Sequence, residues 1–354
     1  MKGLNCFKVF INLIIFFGIS FEFETILEDF NEESYKSYWI QSIFEGKQYG
    51  KFRWTTNSDG SITDKGLQTV DEYSFYAYSR KFKHSISNKN KTLIIQFQVK
   101  FPENTTCSGG YIKLLQSSYN PLSFNKNTPY LLMFGPDICN YGKRKVHAIL
   151  NYKNKYHEIE NEINFPEDKF IHSYSLILTS QNTFQILIDN SVIVSGNIED
   201  HWKMLPPKEI EETKITKPLD WVDDEYITDI TDKKPVDWIE SEEMPNENIT
   251  KPEDWDEEID GKWEQPMIEN PNYKGKWTPT KILNPKFRYK WIQPKIPNPL
   301  YFPDPCLYLF NDIGGIGFDL WQVTPGTFFD NILISSDRRL AKTYGLANNK
   351  KSFK

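Results

Sequence analysis

From residue 21 to about residue 200, short apolar runs recur between polar clusters. "TLIIQFQVKF" (92–101), "YLLMFG" (130–135), "VHAILNY" (146–152) and "SYSLILT" (173–179) are rich in β-branched and aromatic residues, and clusters such as "SNKNK" and "TSQN" separate such runs. Runs of this length and composition predict strands. Helical periodicity is nearly absent here. The run "TFQILIDNSVIVSG" (183–196) predicts a hairpin turning at Asp189, Asn190 and Ser191. Many strands at short spacing predict an all-β sandwich of jelly-roll type.

The pattern breaks at about residue 206. Residues 206–305 hold 15 of the 21 prolines and six of the ten tryptophans, and such proline density rules out a central sheet because proline cannot donate to a ladder. Disorder is the usual alternative, but the tryptophans here are periodic. Lys-Pro-x-Asp-Trp occurs three times, its tryptophans at 221, 238 and 255; Trp263, Trp277 and Trp291 follow in "GKWEQPMIENPNY", "GKWTPTKILNPKF" and "YKWIQPKIPNPLY". Two series of fixed period predict repeated units. Each copy is too short to bury a core alone. We therefore expect an extended antiparallel hairpin arm in which copies of the two series pair, with its tip at 256–263. Strand runs resume after 305 ("IGGIGFDLWQV", "GTFFDNILIS"), so one globular domain is expected from 21–205 plus 306–354, interrupted by the arm. "SSDRRLAKTYGLANNK" (335–350) predicts a short C-terminal helix.

The opening "MKGLNCFKVFINLIIFFGIS" has charged residues, an apolar centre and a small-residue end, the pattern of a secretory signal over 1–20. No other apolar stretch approaches the ~20 residues of a membrane span, so no span is expected in the mature protein. The net charge of −6 offers no basic footprint for nucleic acid. With Cys6 leaving in the signal, Cys107, Cys139 and Cys306 remain in an oxidising compartment. Cys107 and Cys139 are the expected pair, stabilising by roughly 3–4 kcal/mol through chain entropy. Cys306 is then expected as a lone buried thiol. Sequons at Asn90, Asn104 and Asn248 suit a luminal protein.

Several strings carry a resemblance beyond these patterns: "DKGLQT" (64–69), "GGYIKL" (109–114), "MFGPDIC" (133–139), "KVHAILNYK" (145–153), both repeat series, and "GFDLWQVTPGTFFDNILIS" (317–335). In this order, and over nearly all of the mature chain, they resemble the calreticulin/calnexin family. The resemblance implies a concanavalin-like jelly-roll sandwich and a monomeric, calcium-binding lectin chaperone without enzymatic activity. Its clients would be glycoproteins bearing a monoglucosylated high-mannose N-glycan. The family's sugar site falls on Tyr111, Lys113, Tyr130, Asp137 and Asp319. Carboxylates and an ammonium suit sugar hydroxyls, and tyrosine rings suit sugar C–H faces. On this reading Asp319→Ala abolishes binding with little effect on thermal stability.

The resemblance also places the family's disulfide on Cys107 and Cys139. It implies a Ca2+ site from Thr63, Lys65, Asp330 and an early ligand at Glu28 or Asp29, with carbonyls serving a hard cation. At the arm tip, Glu258, Asp260 and Trp263 match residues that recruit a disulfide isomerase, while Lys262 stands where an acid is expected. The sequence ends "KKSFK" without the family's acidic tail or a K-D-E-L-type signal. Bulk calcium storage is therefore not expected, and the endoplasmic reticulum lumen is expected with secretion as the alternative.

The string "EIDGKW" (258–263) approaches the E-I-D-x-x-E strand of some jelly-roll glycosidases. The last acid falls on Trp263, and a proline-flanked turn cannot hold two carboxyls about 5–5.5 Å apart. No Ser-His-Asp order, H-E-x-x-H or paired C-x-x-C is present. The protein is expected to bind rather than catalyse.

Overall fold

The computed structural model describes residues 25–56, 64–139, 143–259 and 261–349. Residues 1–24, Thr63 and Asp260 lie outside them. The chain forms two compact units: Pro207–Pro299, and the flanking segments up to Pro206 and from Leu300 onward.

The first unit is a sandwich of two antiparallel eight-stranded sheets. One sheet runs, in spatial order, through Ser191–Asn197, Thr183–Ile188, His172–Leu178, Leu93–Lys100, Phe328–Ser335, Lys65–Thr69 and Phe52–Thr56, with Ile26–Glu28 pairing Phe328–Ser335. The other runs through Lys155–Glu158, Lys143–Tyr152, Tyr130–Cys139, Ser108–Gly109, Ile313–Gln322, Ser74–Ile86 and Trp39–Gln41, with Ile112–Leu115 bridging Tyr130–Cys139 and Ile313–Gln322. Period-2 alternation sends one set of side chains from each sheet inward. Phe97, Phe134, Tyr174, Leu176, Phe184, Trp202, Phe318 and Phe329 thereby meet in one continuous core. The expected hairpin turns at Asp189 and Asn190, both with positive φ (50° and 64°), as a two-residue turn with matching twist requires.

Strands that follow the arm sit centrally in both sheets, so the sandwich cannot close until the chain has completed the second unit. The segment after that unit is tied back early. Asn182 Nδ2 donates to the Asp304 carbonyl at 2.8 Å, Tyr152 Oη to Asp304 Oδ2 at 2.7 Å, and Tyr301 Oη to Glu199 Oε1 at 2.6 Å. Residues 300–305 thus belong with the sandwich despite Pro303 and Pro305. The C-terminal helix Arg338–Asn349 begins at Asp337, whose carboxylate accepts from the backbone N–H groups of Arg339 and Leu340, a regular N-cap. Ala341, Leu340 and Tyr344 pack on Ile94, Ile177 and Leu333.

The expectation of a lone Cys306 thiol is corrected. No described cysteine is free, and Cys306 is disulfide-bonded and only half-buried. The odd count rested on setting aside Cys6, which lies outside the described residues.

The second unit is a series of three short antiparallel ladders. Glu209–Glu211 pairs with Lys295–Pro297, Tyr226–Thr228 with Lys281–Leu283, and Glu243–Pro245 with Met267–Glu269. Between ladders each first-series tryptophan donates its Nε1–H across the hairpin: Trp221 to the Tyr289 carbonyl (3.0 Å), Trp238 to Gly275 (2.9 Å) and Trp255 to Gly261 (2.9 Å). Trp221 meets Trp291 and Trp255 meets Trp263 edge to face, at 5.0 and 4.9 Å. The motif lysine bonds an acid six residues on, in the pairs Lys217–Asp223, Lys234–Glu240 and Lys251–Glu257. In the first two rungs that acid also accepts the backbone N–H of the facing tryptophan, Trp291 or Trp277. Each rung is therefore closed by its own ring, ion pair and ladder. Exposed ion pairs contribute little alone; here they fix the geometry of a unit that has no core.

Candidate functional site

Register places the candidate sugar residues on one sheet face. Lys113 lies opposite Met133 and Gly317, Asp319 opposite Ala77, Asp137 opposite Gly109 and Lys145, and His147 opposite Gly135. Side chains at alternating positions share a face, so Tyr111, Lys113, Asp137, Asp319 and His147 emerge together. Gly135, at φ +137°, permits this: a Cβ there would lie 2.7 Å from the Tyr111 Cα and from the Phe97 ring.

Lys113 and Asp319 form the centre. Lys113 Nζ donates to Asp319 Oδ2 at 2.6 Å, with the two side chains 7% and 9% exposed. The ammonium also lies 4.6 Å from the centroid of the Tyr130 ring, which in turn stacks on Tyr156 at 4.2 Å. Burial pushes the Tyr111 hydroxyl well above its ordinary range, and the charges of Asp319 and Asp137 push it the same way. The Tyr130 hydroxyl is pushed up to about 12, by burial first and then by Tyr156, Glu158 and Asp319. Both phenols therefore stay neutral and can donate as well as accept hydrogen bonds.

The sequence reading missed the layer beneath Asp137. His147 has Nδ1 2.6 Å from Glu158 Oε1 and Nε2 3.6 Å from Asp137 Oδ2, and its ring meets Tyr111 edge to face at 6.2 Å. Lys145 Nζ also bonds Glu158 at 2.7 Å. Burial works against a charged imidazole, yet the bonds to Asp137 and Glu158 outweigh it and raise the His147 pKa. The signal was present in "KVHAILNYK", where Lys145 and His147 share the face that register gives Asp137. A cleft of about 280 Å³ adjoins Asp319 and is lined by Phe44, Lys47, Tyr49, Phe75, Lys126 and Asn127, among others; apart from Phe75, on the strand Ser74–Ile86, and Phe44, in a short 3-10 turn, these are loop residues with no pattern to read. The disulfide joins Cys107 to Cys139 with Cα atoms 4.2 Å apart, linking the segment before Tyr111 to the strand end beyond Asp137.

The candidate calcium residues gather at a register break on the other sheet. The pairing of Phe328–Ser335 with Leu93–Lys100 shifts between Asp330 and Leu333, Asn331 has φ 55°, and the Asp330 side chain is buried. Lys65 opens the neighbouring strand, its N–H bonded to Asn31 Oδ1 and its ammonium 3.5 Å from the Trp54 ring centroid. The Glu28 carboxylate is engaged by Arg80 (2.9 Å), Trp39 Nε1 (3.0 Å) and the Phe30 N–H (3.2 Å). Among the described residues no group of three or more His, Cys, Asp or Glu stands ready for a metal, so a cation here would rely on carbonyls. Burial raises the Tyr344 hydroxyl, and the charges of Asp330, Asp29, Asp64 and Glu28 raise it further; Arg80 already offsets the Glu28 charge. The oxygens on offer, the Asp330 carboxylate and backbone carbonyls, are of the hard kind that Ca2+ takes.

At the tip, Glu258 and Ile259 are exposed, while Trp263 is half-buried against Trp255. The Trp263 ring thus closes the last rung as well as facing solvent. Among the described residues no helix is long and apolar enough to cross a membrane.

Comparison with known proteins fits this arrangement. The Calreticulin family description matches residues 26–260 and 259–334. The chain is 54% identical to calreticulin of Drosophila melanogaster over 89% of its own length and 78% of that protein's, and 50% identical to calreticulin of Homo sapiens over 88% and 75%. Among solved structures, the globular domain of T. cruzi calreticulin matches with a TM-score of 0.63 and 26% identity, over 92% of this chain and 95% of that one. The chain therefore belongs to the calreticulin family.

Proposed function

We propose that this protein is a lectin chaperone whose sheet face binds the terminal glucose of a monoglucosylated high-mannose N-glycan on glycoprotein clients. Family membership supports the lectin chaperone. The single observation that carries the finer reading is the nearly dry Lys113–Asp319 pair, with Tyr111, Tyr130 and Asp137 beside it on one face. Such a set offers a hexose a charged donor, charged acceptors and two ring faces, already oriented before the sugar arrives. Pre-organisation of this kind limits the entropy lost on binding. His147, braced by Glu158, holds Asp137 in place.

Ca2+ would be held by Asp330 with the carbonyls of Lys65 and Glu28 or Asp29, together with Thr63. It would stabilise the sandwich and take no part in any bond-making. The arm tip, with Glu258, Asp260 and Trp263, would dock a disulfide isomerase through its acidic surface, weakened by Lys262. The compartment consistent with these roles is the endoplasmic reticulum lumen.

Calorimetric titration with a monoglucosylated high-mannose oligosaccharide and with its glucose-free counterpart tests the reading. Binding of the first alone is expected. Equal binding of both, or of neither, would refute glucose recognition.

A further inference from the structure

Each of the three Asn-x-Thr triplets, at Asn90, Asn104 and Asn248, falls on an exposed asparagine. Their side-chain amides enter no hydrogen bond among the described residues, whereas those of Asn88, Asn182 and Asn331 are engaged. A glycan is bulky and must point outward, and all three positions allow that in the finished fold. What closes over each triplet differs in how far along the chain it lies.

Asn90 (φ 59°) lies in the turn from Ser74–Ile86 in one sheet to Leu93–Lys100 in the other. Strands of different sheets cannot zip as a local hairpin, and distant residues clamp the turn instead. Asn88 Nδ2 donates to the Tyr308 carbonyl (2.9 Å), the Phe310 N–H to Asn88 Oδ1 (2.7 Å) and the Asn90 N–H to Tyr308 Oη (3.0 Å). Asn104 (φ 60°) lies in the next crossing between sheets, from Leu93–Lys100 to Ser108–Gly109. Its triplet is closed by Thr324, whose hydroxyl meets the Thr106 hydroxyl at 3.1 Å and accepts the Thr106 N–H at 3.3 Å. Tyr308 and Thr324 each lie 218 residues beyond the triplet residue they bond, past Pro207–Pro299. At ~5–20 residues per second, synthesis leaves both triplets open for roughly 10–40 s.

Asn248 sits in a turn where the Ile249 N–H donates to the Asn246 carbonyl at 3.1 Å. Gln265 caps it, donating from Nε2 to the carbonyls of Asn246 and Ile249, only 19 and 16 residues earlier. That separation is about 1–4 s of synthesis, and a hairpin closes within microseconds once both strands exist.

We propose that Asn90 and Asn104 carry N-linked glycans, attached before the sandwich closes, while Asn248 stays largely bare. Attachment rests on the luminal reading above, since the donor, an oligosaccharide joined through a diphosphate to a lipid, is presented there. The asparagine amide nitrogen bonds to the anomeric carbon of the donor's first N-acetylhexosamine. That carbon's bond to the diphosphate oxygen breaks, the lipid diphosphate leaves with the electron pair, and the amide gives up one proton. The threonine hydroxyl is part of what the transferring enzyme reads, so a Thr106 already bonded to Thr324 is withheld from it.

The test expresses the full chain in cultured mammalian cells. Intact microsomes are treated with external protease. The protected chain is then deglycosylated by peptide N-glycosidase in heavy-oxygen water, which marks each formerly occupied asparagine as labelled aspartate for peptide mapping. Label is expected at Asn90 and Asn104 in most molecules and at Asn248 in few. Asn90→Gln and Asn104→Gln should each remove one glycan from the intact mass. Opening the arm turn with Trp255→Ala and Gln265→Ala should raise the label at Asn248 several-fold and leave the other two unchanged. A protected chain unlabelled at Asn90 or Asn104 overturns the proposal, as does label at Asn248 equal to theirs in the parent. A chain that the external protease digests was never luminal. That outcome overturns the luminal reading together with the glycans, so the two failures are told apart.

Discussion

Replacement of Asp319 by alanine separates the energetic and recognition roles of the central ion pair. Lys113 and Asp319 are 7% and 9% exposed and joined at 2.6 Å, so each charge has been stripped of most of its water and is compensated chiefly by the other. Removing one partner of such a pair costs about 3–5 kcal/mol, because the remaining charge stays buried without compensation. In a domain of this size each kcal/mol moves the melting temperature by roughly 2–4 °C, so a fall of about 6–20 °C is expected. Read from sequence alone, Asp319→Ala affects binding with little effect on stability; the burial overturns that expectation. The double replacement Lys113→Met with Asp319→Leu removes both charges while keeping volume, and should melt at or above the parent temperature. Its glycan binding should remain lost. Scanning calorimetry at fixed pH, salt and calcium, with glycan titration alongside, reads both properties. A single variant melting within about 2 °C of the parent, or a double variant as unstable as the single, would refute the reasoning.

Other consequences can be checked with standard measurements. Chelation should lower the melting temperature of the parent, by the equivalent of about 2.7 kcal/mol if calcium had stood a hundredfold above its Kd, and Asp330→Ala should abolish that difference; identical parent melts with and without chelator would remove the cation site. His172 bonds Asp189 at 2.6 Å and Asp168 at 2.8 Å, and these bonds outweigh burial to raise its pKa. A raised histidine stabilises fully below its unfolded value near 6.5 and loses that contribution as pH rises through the higher folded value. Urea midpoints should therefore fall with rising pH across that window more steeply in the parent than in His172→Gln, and parallel profiles would contradict it. Trp238→Ala should speed amide exchange in the neighbouring ladders, Tyr226–Thr228 with Lys281–Leu283 and Glu243–Pro245 with Met267–Glu269, and leave Ile112–Leu115 protected. Lys262→Glu should tighten binding of a disulfide isomerase in surface plasmon resonance; unchanged affinity would remove Lys262 from the docking face.

The sandwich was legible because strand alternation is a local code: "TFQILIDNSVIVSG" announces its hairpin without reference to the rest of the chain. The arm was legible from period alone, since Trp221 and Trp291 must find partners where no core exists. What the pattern could not convey was depth. Nothing local tells that Lys113 and Asp319, some two hundred residues apart, are dry, or that the Glu28 carboxylate is spent on Arg80 and Trp39. His147 was readable only once register had set it beside Asp137. Cys306 was misjudged because a count of thiols is not a map of them. Phe44, in a single 3-10 turn, and Tyr49, in the loop after it, reach the cleft beside Asp319 through local geometry that has no periodicity to follow.

Because every rung of Pro207–Pro299 is sealed by its own indole bond, ion pair and ladder, length is a quantity this unit can gain or lose in whole steps. Excising 17 residues from the outgoing strand together with 14 from the return would splice one rung boundary onto the next like for like. Its length can thus be tuned by duplication or deletion while the strands of the sandwich are left untouched.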